Sequence, residues 1–268
     1  MSMTSASVTQ AHPLQKRTLQ TLAGAQSLSG LGYSSTVAAG SLLVASITKS
    51  EALAGLAQTF GVLGAAAMAL PLANLTRRGG RRLALSSGYA IGALGAVLAV
   101  IGGATELLPI LFLGTFLVGA AAASGYQARY AAVDLATQDN RARSLSLVVW
   151  ASTIGSVLGP NLIGPVGNFA TSIGFPRLTG PYMFSAIMLG LGSAVIWFRL
   201  KPDPYLTSTA SHSEESSSKT KIPTKEVLAH IASRPNALLG LLALSMGHLI
   251  MVAVMVMTPV HMAHVDVS

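Results

Sequence analysis

The sequence predicts an all-α membrane protein with a six-helix bundle followed by a seventh transmembrane helix. Three observations predict it: seven long apolar stretches, few charged residues, and an uneven distribution of Lys and Arg among the connections. Each stretch is close to the ~20 residues with which an α-helix crosses a hydrocarbon core of ~30 Å. The stretches cover residues 22–47, 52–75, 83–104, 107–133, 145–172, 182–200 and 237–262.

The composition fits a lipid environment. Hydrophobic residues make up 51% of the chain and charged residues 10%, with a mean hydropathy of +0.59, whereas about 25% of the residues in soluble domains are charged. Because no water reaches backbone groups at membrane depth, each stretch must satisfy them within a helix. The 27 glycines suit close helix packing in lipid. The absence of cysteine excludes disulfides, thiolate metal sites and cysteine nucleophiles.

Lys and Arg divide unequally between the two sides of the predicted membrane. With a cytoplasmic N-terminus, eight of them fall in short inner connections and two in outer ones. The positive-inside rule therefore predicts a multi-pass protein of the cell membrane with its N-terminus cytoplasmic and its C-terminus extracytoplasmic. Topology accounts for the net charge of +8, and we expect no nucleic-acid partner. The inner set is Lys16, Arg17, Arg77, Arg78, Arg81, Arg82, Arg141 and Arg143, and the outer set is Lys49 and Arg177.

The predicted organisation has five parts. Residues 1–21 form a polar cytoplasmic N-terminus without a cleavable signal, and residues 22–200 form the six-helix transmembrane bundle. Residues 201–236 form a cytoplasmic linker that begins as a flexible, solvated segment. A short amphipathic helix over 224–233 follows within it. Residues 237–262 form the seventh transmembrane helix, and residues 263–268 form an extracytoplasmic tail.

A strongly basic connection joins the second and third stretches. It reads Ala-Asn-Leu-Thr-Arg-Arg-Gly-Gly-Arg-Arg over residues 73–82. Its glycines permit a tight reversal that includes positive φ, and its arginines can pair with helix carbonyls, acidic groups or lipid phosphates. A simple positive-inside anchor would also explain the charge.

This connection resembles the pattern Gly-x-Leu-Ala-Asp-Arg-x-Gly-Arg-Arg/Lys, which the major facilitator superfamily of transporters carries between its second and third helices. Arg77 stands where the family has an Asp that helps to latch the cytoplasmic side, so the resemblance does not extend to that role. It implies a part in conformational gating for the matching residues. These are Leu75, Arg78, Gly80, Arg81 and Arg82.

The fifth stretch carries a second match, to the family's helix-five pattern Gly-x-x-x-Gly-Pro-x-x-Gly-Gly. Gly155, Gly159, Pro160 and Gly164 match, and Ile163 departs. The first two glycines share one helix face and allow close packing, while the proline removes a backbone hydrogen bond and bends the helix. The segment either rocks during gating or is a static packing kink. The pattern is typical of the family's antiporters, so the resemblance implies proton-coupled efflux.

The family's helix-four pattern, Leu-x-x-x-Arg-x-x-Gln-Gly, is only partly present. Leu111 and Gly119 match, whereas Thr115 replaces the Arg and Val118 replaces the Gln. A proton-relay role for that Arg is therefore not carried over to this chain.

The resemblance follows the helix order of the whole chain and implies more helices than the chain has. Family members have twelve helices in two six-helix halves, with the substrate held between the halves at mid-membrane. This sequence corresponds to the first half and helix seven. We expect a truncated or split product, or a separate chain that supplies the missing helices.

Polar side chains deep in the stretches are candidates for a solute path. The candidate at residue 248 lies about 17 Å along its helix from residue 237, near the midplane, and histidine suits proton exchange near neutral pH. A buried histidine or glutamine bonded to a neighbouring helix is the commoner arrangement. The candidates are Gln26, Tyr33, Gln58, Trp150, Asn161 and His248.

Three hypotheses for the function follow. The first is a secondary transporter that moves a small solute across the lipid bilayer by alternating access, with a proton as the coupling ion and without a cofactor or metal. The second is a transport-incompetent half that acts only as an assembly partner or has no activity. An intramembrane enzyme is the weakest, because the stretches lack a paired acid, a zinc-type His cluster and a Ser–His pair. We therefore expect no enzymatic activity.

Overall fold

The computed structural model describes residues 13–50, 52–212 and 233–265, and their regular structure is helical. The chain divides into two compact units, Met1–Thr209 and Ala210–Ser268. Short 3-10 turns, Gln138–Asn140 and Arg177–Thr179, precede the fourth and sixth helices. The helices are α1 (Gln15–Thr48), α2 (Leu56–Ala104), α3 (Leu108–Ala131), α4 (Arg141–Asn161), α5 (Ile163–Ser172), α6 (Gly180–Arg199), α7 (Pro204–His212) and α8 (Pro235–Val265).

The element α2 consists of two helices that run in opposite directions. Gly80 divides it with φ 83° and ψ 176°, a conformation that glycine adopts without steric cost. Before Gly80, the residue numbers of contacting pairs increase together along α2 and α3, so the two helices run parallel. After Gly80, the numbers in α2 increase while those in α3 decrease, so the helices run antiparallel. The reversal predicted for the basic connection is therefore present. The contacts are Gly61 with Thr115 and Thr76 with Gln127 before the bend, and Gly88 with Ser124 and Gly102 with Leu111 after it.

Six elements in the described residues are long and apolar enough to cross a membrane. One of them is α2, whose 49 residues make two passes because the chain reverses at Gly80. The first unit thus has six passes, and α8 of the second unit supplies another. The predicted all-α class, a six-helix bundle with a seventh transmembrane helix, is confirmed.

Helix α1 packs against both α4 and α6. It runs parallel to α4, because Gly30 faces Gly155 and Ser34 faces Gly159. It runs antiparallel to α6, whose early residues lie beside the last third of α1. There the Tyr182 hydroxyl lies against Gly40. These contacts place α1 at the centre of the bundle.

The two ends of the bundle differ in chemistry. The start of α1, the end of α3, the start of α4 and the Gly80 reversal meet at one end, called here the hairpin end. The Gln15 amide donates there to the Ala132 carbonyl at 2.9 Å and to the Ser144 hydroxyl at 3.0 Å. At the opposite end, Gly103 lies against Leu43. All eight of the predicted inner Lys and Arg belong to segments that meet at the hairpin end.

The fifth apolar stretch is not one continuous helix. It is divided at Leu162 into α4 and α5, two residues after Pro160. Proline cannot donate to the carbonyl four residues before it, so the helix is weakest on this turn. The stretch predicted over 145–172 is therefore two helices, and the interruption lies two residues after the proline at which a bend was predicted.

The start of the linker is also more ordered than the sequence predicted. Residues Pro204–His212 form α7, where we expected a flexible, solvated segment. Pro204 is buried and Tyr205 half-buried. At the other end of the chain, α8 extends to Val265, three residues into the predicted tail. Most of the predicted amphipathic helix over 224–233 lies outside the described residues.

Candidate functional site

A small cavity lies between α1, the first part of α2, α3 and α6. It brings together Tyr33 and Gln58, two of the six residues predicted for a solute path. Its volume of about 20 Å³ exceeds the 10–15 Å³ that one water-sized group needs. Thr36, Thr115 and Tyr182 complete its polar wall.

Thr115 and Tyr182 were not among the residues predicted from the sequence for the solute path. The sequence did mark Thr115 as a position of interest, because this residue stands where the family's helix-four pattern has its Arg. Tyr182 stands at the start of its apolar stretch, a position where tyrosine is common as an interfacial anchor. Only the packing shows that its hydroxyl reaches inward, which Gly40 permits because a Cβ there would lie 2.7 Å from that hydroxyl.

Gln26 lies in another part of the bundle. It is buried, and its side-chain oxygen accepts a hydrogen bond of 3.0 Å from the Tyr89 hydroxyl, which is itself fully buried. A Cβ on Gly125 would lie 3.2 Å from the Gln26 amide nitrogen. The side chain therefore joins three helices and does not line the cavity.

The remaining solute-path candidates are not brought to the cavity. Trp150 is 66% exposed on α4, away from the face that packs on α1. Asn161 is exposed, and its amide donates to the Val157 carbonyl one turn earlier at 2.8 Å. His248 lies in α8, in the second unit. In the first unit, only Tyr33 and Gln58 of the predicted set converge on one space.

The predicted glycine face of the fifth stretch forms a close contact with α1. A Cβ on Gly155 would lie 2.4 Å from the Gly30 carbonyl carbon, and one on Gly159 would lie 1.9 Å from the Ser34 hydroxyl oxygen. The Ser34 hydroxyl donates to the Gly155 carbonyl at 2.7 Å. Gly164, by contrast, has no atom within 4 Å of its Cβ position. Close approach therefore explains the first two glycines and not the third.

The basic connection is fixed by acidic partners. The Arg81 guanidinium bonds both carboxylate oxygens of Asp134, with Nε–Oδ2 at 2.8 Å and Nη2–Oδ1 at 3.3 Å. Both side chains are largely covered, at 13% and 14% exposure. Arg81 thus ties the reversal at Gly80 to the end of α3.

A second acidic residue, Asp203, holds the other side of the reversal. One of its carboxylate oxygens accepts the Arg82 backbone N–H at 2.7 Å, and the other accepts the Tyr205 backbone N–H at 2.9 Å at the start of α7. The Arg82 guanidinium lies 4.1 Å above the Trp197 ring and donates to the Trp197 carbonyl at 2.8 Å. Neither acidic partner was predicted from the sequence.

The other residues of the basic connection make fewer contacts. Leu75 is half-buried, and Arg78 is exposed. Arg77, at the family's Asp position, is exposed and donates to the Asn74 side chain. Of the five residues predicted for gating in this connection, Gly80, Arg81 and Arg82 make the contacts described above. Thr76, which was not among the five, donates to the Gln127 side chain of α3 at 3.2 Å.

Comparison with known proteins agrees with this architecture. The family model described as Major Facilitator Superfamily matches residues 22–268. Two proteins of Bacillus subtilis (strain 168) are similar over 94% of this chain and 58% of their own length, each with 35% identity. They are the uncharacterized MFS-type transporters YdeG and YddS.

A third relative, the riboflavin transporter RfnT of Brucella anthropi, is 32% identical over 55% of this chain and 37% of its own length. No solved structure matches the chain. The chain thus spans 58% of the length of the two Bacillus proteins. The family match covers both the six-pass bundle and α8, and we conclude that the chain belongs to the Major Facilitator Superfamily, a family of membrane transporters rather than enzymes.

Proposed function

We propose that this chain takes part in secondary active transport of a small solute by alternating access. The observation that carries the proposal is the neutral polar cavity between α1, α2, α3 and α6, which Tyr33 and Gln58 both line. Polar side chains at membrane depth are expensive to maintain and mark solute or ion paths. In this proposal Tyr33 and Gln58 contact the solute.

The glycine contact between α1 and α4 supports a moving surface. Where Gly30 meets Gly155, backbone lies on backbone with no interdigitated side chains, so relative motion of the two helices needs no rotamer exchange. We propose that Gly155, Gly159 and Pro160 allow this motion, and that the Arg81–Asp134 pair holds the hairpin end during it.

The charge distribution supports a cell-membrane protein with its N-terminus in the cytoplasm. The segments that carry the eight inner cations of the sequence analysis meet at the hairpin end, and the segments with Lys49 and Arg177 lie at the other. The positive-inside rule favours placing the hairpin end on the cytoplasmic side.

In more specific terms, we propose that the transport is efflux and that a proton is the coupling ion. This is supported by the antiporter-like glycine–proline segment in α4. In the described transmembrane segments of the first unit no carboxylate lies at depth, so the coupling group would have to come from α8, where His248 is the candidate, or from another part of a complete transporter.

Flux through proteoliposomes tests the proposal. The purified chain would be reconstituted and loaded with radiolabelled solutes, riboflavin among them because one relative is named for it, with and without a pH gradient. Flux above that of empty vesicles supports transport, and a dependence on the gradient supports proton coupling. If every solute moves no faster than in empty vesicles, the chain is not a transporter on its own.

The second candidate is an assembly partner that is inactive alone. It is favoured by the alignment, which covers only 58% of the length of the Bacillus relatives. Co-reconstitution with the remaining C-terminal part of YdeG distinguishes the two. Flux that appears only with the second chain supports the assembly partner, and equal flux with or without it contradicts that candidate.

A further inference from the structure

The cavity between α1, α2, α3 and α6 has a distinctive chemistry. Among the described residues that line it, none carries a charge. An unpaired ionised group would lose its hydration there without gaining an ionic partner, which is strongly unfavourable in a low-dielectric interior. A carboxylate, phosphate or ammonium group is therefore a poor occupant.

The polar wall offers both donors and acceptors. The Thr36 hydroxyl donates to the Tyr33 carbonyl at 2.7 Å, and the Thr115 hydroxyl donates to the Phe112 carbonyl at 3.0 Å. Each of these hydroxyl oxygens therefore keeps lone pairs with which to accept. The Gln58 amide has two N–H donors and one acceptor oxygen. A group that both donates and accepts hydrogen bonds suits this wall.

Size limits the occupant further. The cavity volume of about 20 Å³ admits one small polar group and not a whole solute. Val37, Ala57 and Val118 form apolar walls beside the polar groups. The arrangement suits the polar end of a larger molecule whose adjoining part is apolar.

We propose that this cavity binds one uncharged hydroxyl or amide group of the transported solute, with Gln58 and Thr115 as its recognition residues. The proposal rests on the proposed transport function, because it assigns the solute's chemical class to the same site. It selects against solutes that present an ionised group to this part of the bundle.

Because the chain contains no cysteine, single thiols report on the cavity without background. Gln58→Cys places a thiol in the cavity wall, and Thr115→Cys is a second, nearly isosteric variant in case the first does not fold. Thr105→Cys, exposed at the same end of the bundle, is the control. In detergent, each variant would be treated with 2-hydroxyethyl, 2-sulfonatoethyl and 2-(trimethylammonio)ethyl methanethiosulfonate, which have similar chain lengths and differ in charge.

We expect the neutral hydroxyethyl reagent to modify the cavity thiols more than about tenfold faster than either charged reagent, because the ions must shed water to enter. The control thiol should react with all three at rates within about threefold of one another, since it remains hydrated. Equal rates for a charged and the neutral reagent at the cavity thiols would overturn the proposal.

This readout does not require transport. Vesicles without flux would therefore count against the proposed function, while charge-independent labelling would count against the neutral cavity alone. Where flux is observed, Thr115→Val should lower the rate for a neutral solute about tenfold, as expected when a solute's polar group loses its partner. An unchanged rate would remove Thr115 from the site.

Discussion

The Ser34 hydroxyl on α1 donates a hydrogen bond of 2.7 Å to the Gly155 carbonyl on α4, in a contact where the two backbones touch. The Ser34 hydroxyl oxygen also lies 2.7 Å from the Gly30 carbonyl oxygen, so its single proton has one acceptor within α1 and one on α4. In lipid, where burial of apolar surface does not drive helices together, such close packing and interhelical bonding hold them. The helix-five glycine pattern of the sequence therefore corresponds to a close contact between α1 and α4.

Gly155→Ala should destabilise the bundle. The added Cβ would lie 2.4 Å from backbone carbon of Gly30 and 2.5 Å from the Leu31 nitrogen, and backbone cannot rotate aside as a side chain can. Overpacking of this kind costs about 1–3 kcal/mol, more than the helix propensity of about 1 kcal/mol that alanine regains over glycine. Unfolding of the purified chain in mixed detergent micelles would measure the loss.

Gly190→Ala, within α6, is the matched control, because no atom of another element lies within 4 Å of its Cβ position. Its free energy of unfolding should stay equal to that of the unchanged chain or rise by up to about 1 kcal/mol. Equal destabilisation of the two variants would mean that the α1–α4 contact does not depend on a bare backbone.

Asp134→Asn should weaken the hairpin end. It leaves the Arg81 guanidinium largely covered, with its side chain 13% exposed, and without its anionic partner. We expect a loss of about 1–3 kcal/mol, between the values for exposed and buried ion pairs. Asp139→Asn, in the exposed turn before α4, should change the free energy of unfolding by less than about 0.5 kcal/mol.

A double-mutant cycle isolates the pair from other effects of the substitutions. Arg81→Gln combined with Asp134→Asn should cost less than the sum of the two single changes, because the contact can be lost only once. Strict additivity would show that the ion pair contributes nothing to stability.

Gly80→Ala should be much more damaging than Gly79→Ala. At Gly80 the φ of 83° is unfavourable for alanine, and the Cβ would lie 2.3 Å from an Asp203 carboxylate oxygen. Backbone strain of this kind alone costs about 1–3 kcal/mol. At Gly79 the nearest atom is the mobile end of the Leu83 side chain, at 2.6 Å, which can move aside.

Proteolysis and thermal unfolding in detergent would compare the Gly80→Ala and Gly79→Ala variants. We expect faster cleavage near residues 78–82 in Gly80→Ala and an unchanged pattern in Gly79→Ala. The opposite order, or equal cleavage, would contradict the reversal at Gly80.

Tyr89→Phe tests whether Gln26 is an interhelical bond or a solute contact. Removing the phenolic hydroxyl breaks the 3.0 Å hydrogen bond to Gln26, and bonds of this kind between membrane helices are worth about 0.6 kcal/mol, with a maximum of about 1.7. We expect a loss in that range without any change in solute selectivity. A changed selectivity with unaltered stability would place Gln26 in the solute path.

The sequence predicts the class of fold because the bilayer imposes a simple rule. Apolar length alone is enough to identify segments such as 22–47 and 83–104, and the positive φ expected of the glycines in the basic connection is found at Gly80. Pro160 predicted a bend in the fifth stretch, but not that the helix ends and restarts at Leu162, because apolar composition does not distinguish a bent helix from an interrupted one. The helix α7 was missed since its stability depends on Asp203 and on the distant Arg82 backbone.

By itself, the sequence determined that the segments lie in lipid, that they are helical and where the basic reversal lies. It could do so because hydropathy, backbone hydrogen bonding and glycine conformation all act locally along the chain. Tertiary structure decided the rest. It brought Tyr33 and Gln58 to Thr115 and Tyr182, separated them from Gln26 and Trp150, and supplied Asp134 and Asp203 as partners for the reversal. Which polar groups meet depends on how helices rotate about their axes when small residues let them touch, and periodicity along one chain does not fix that rotation.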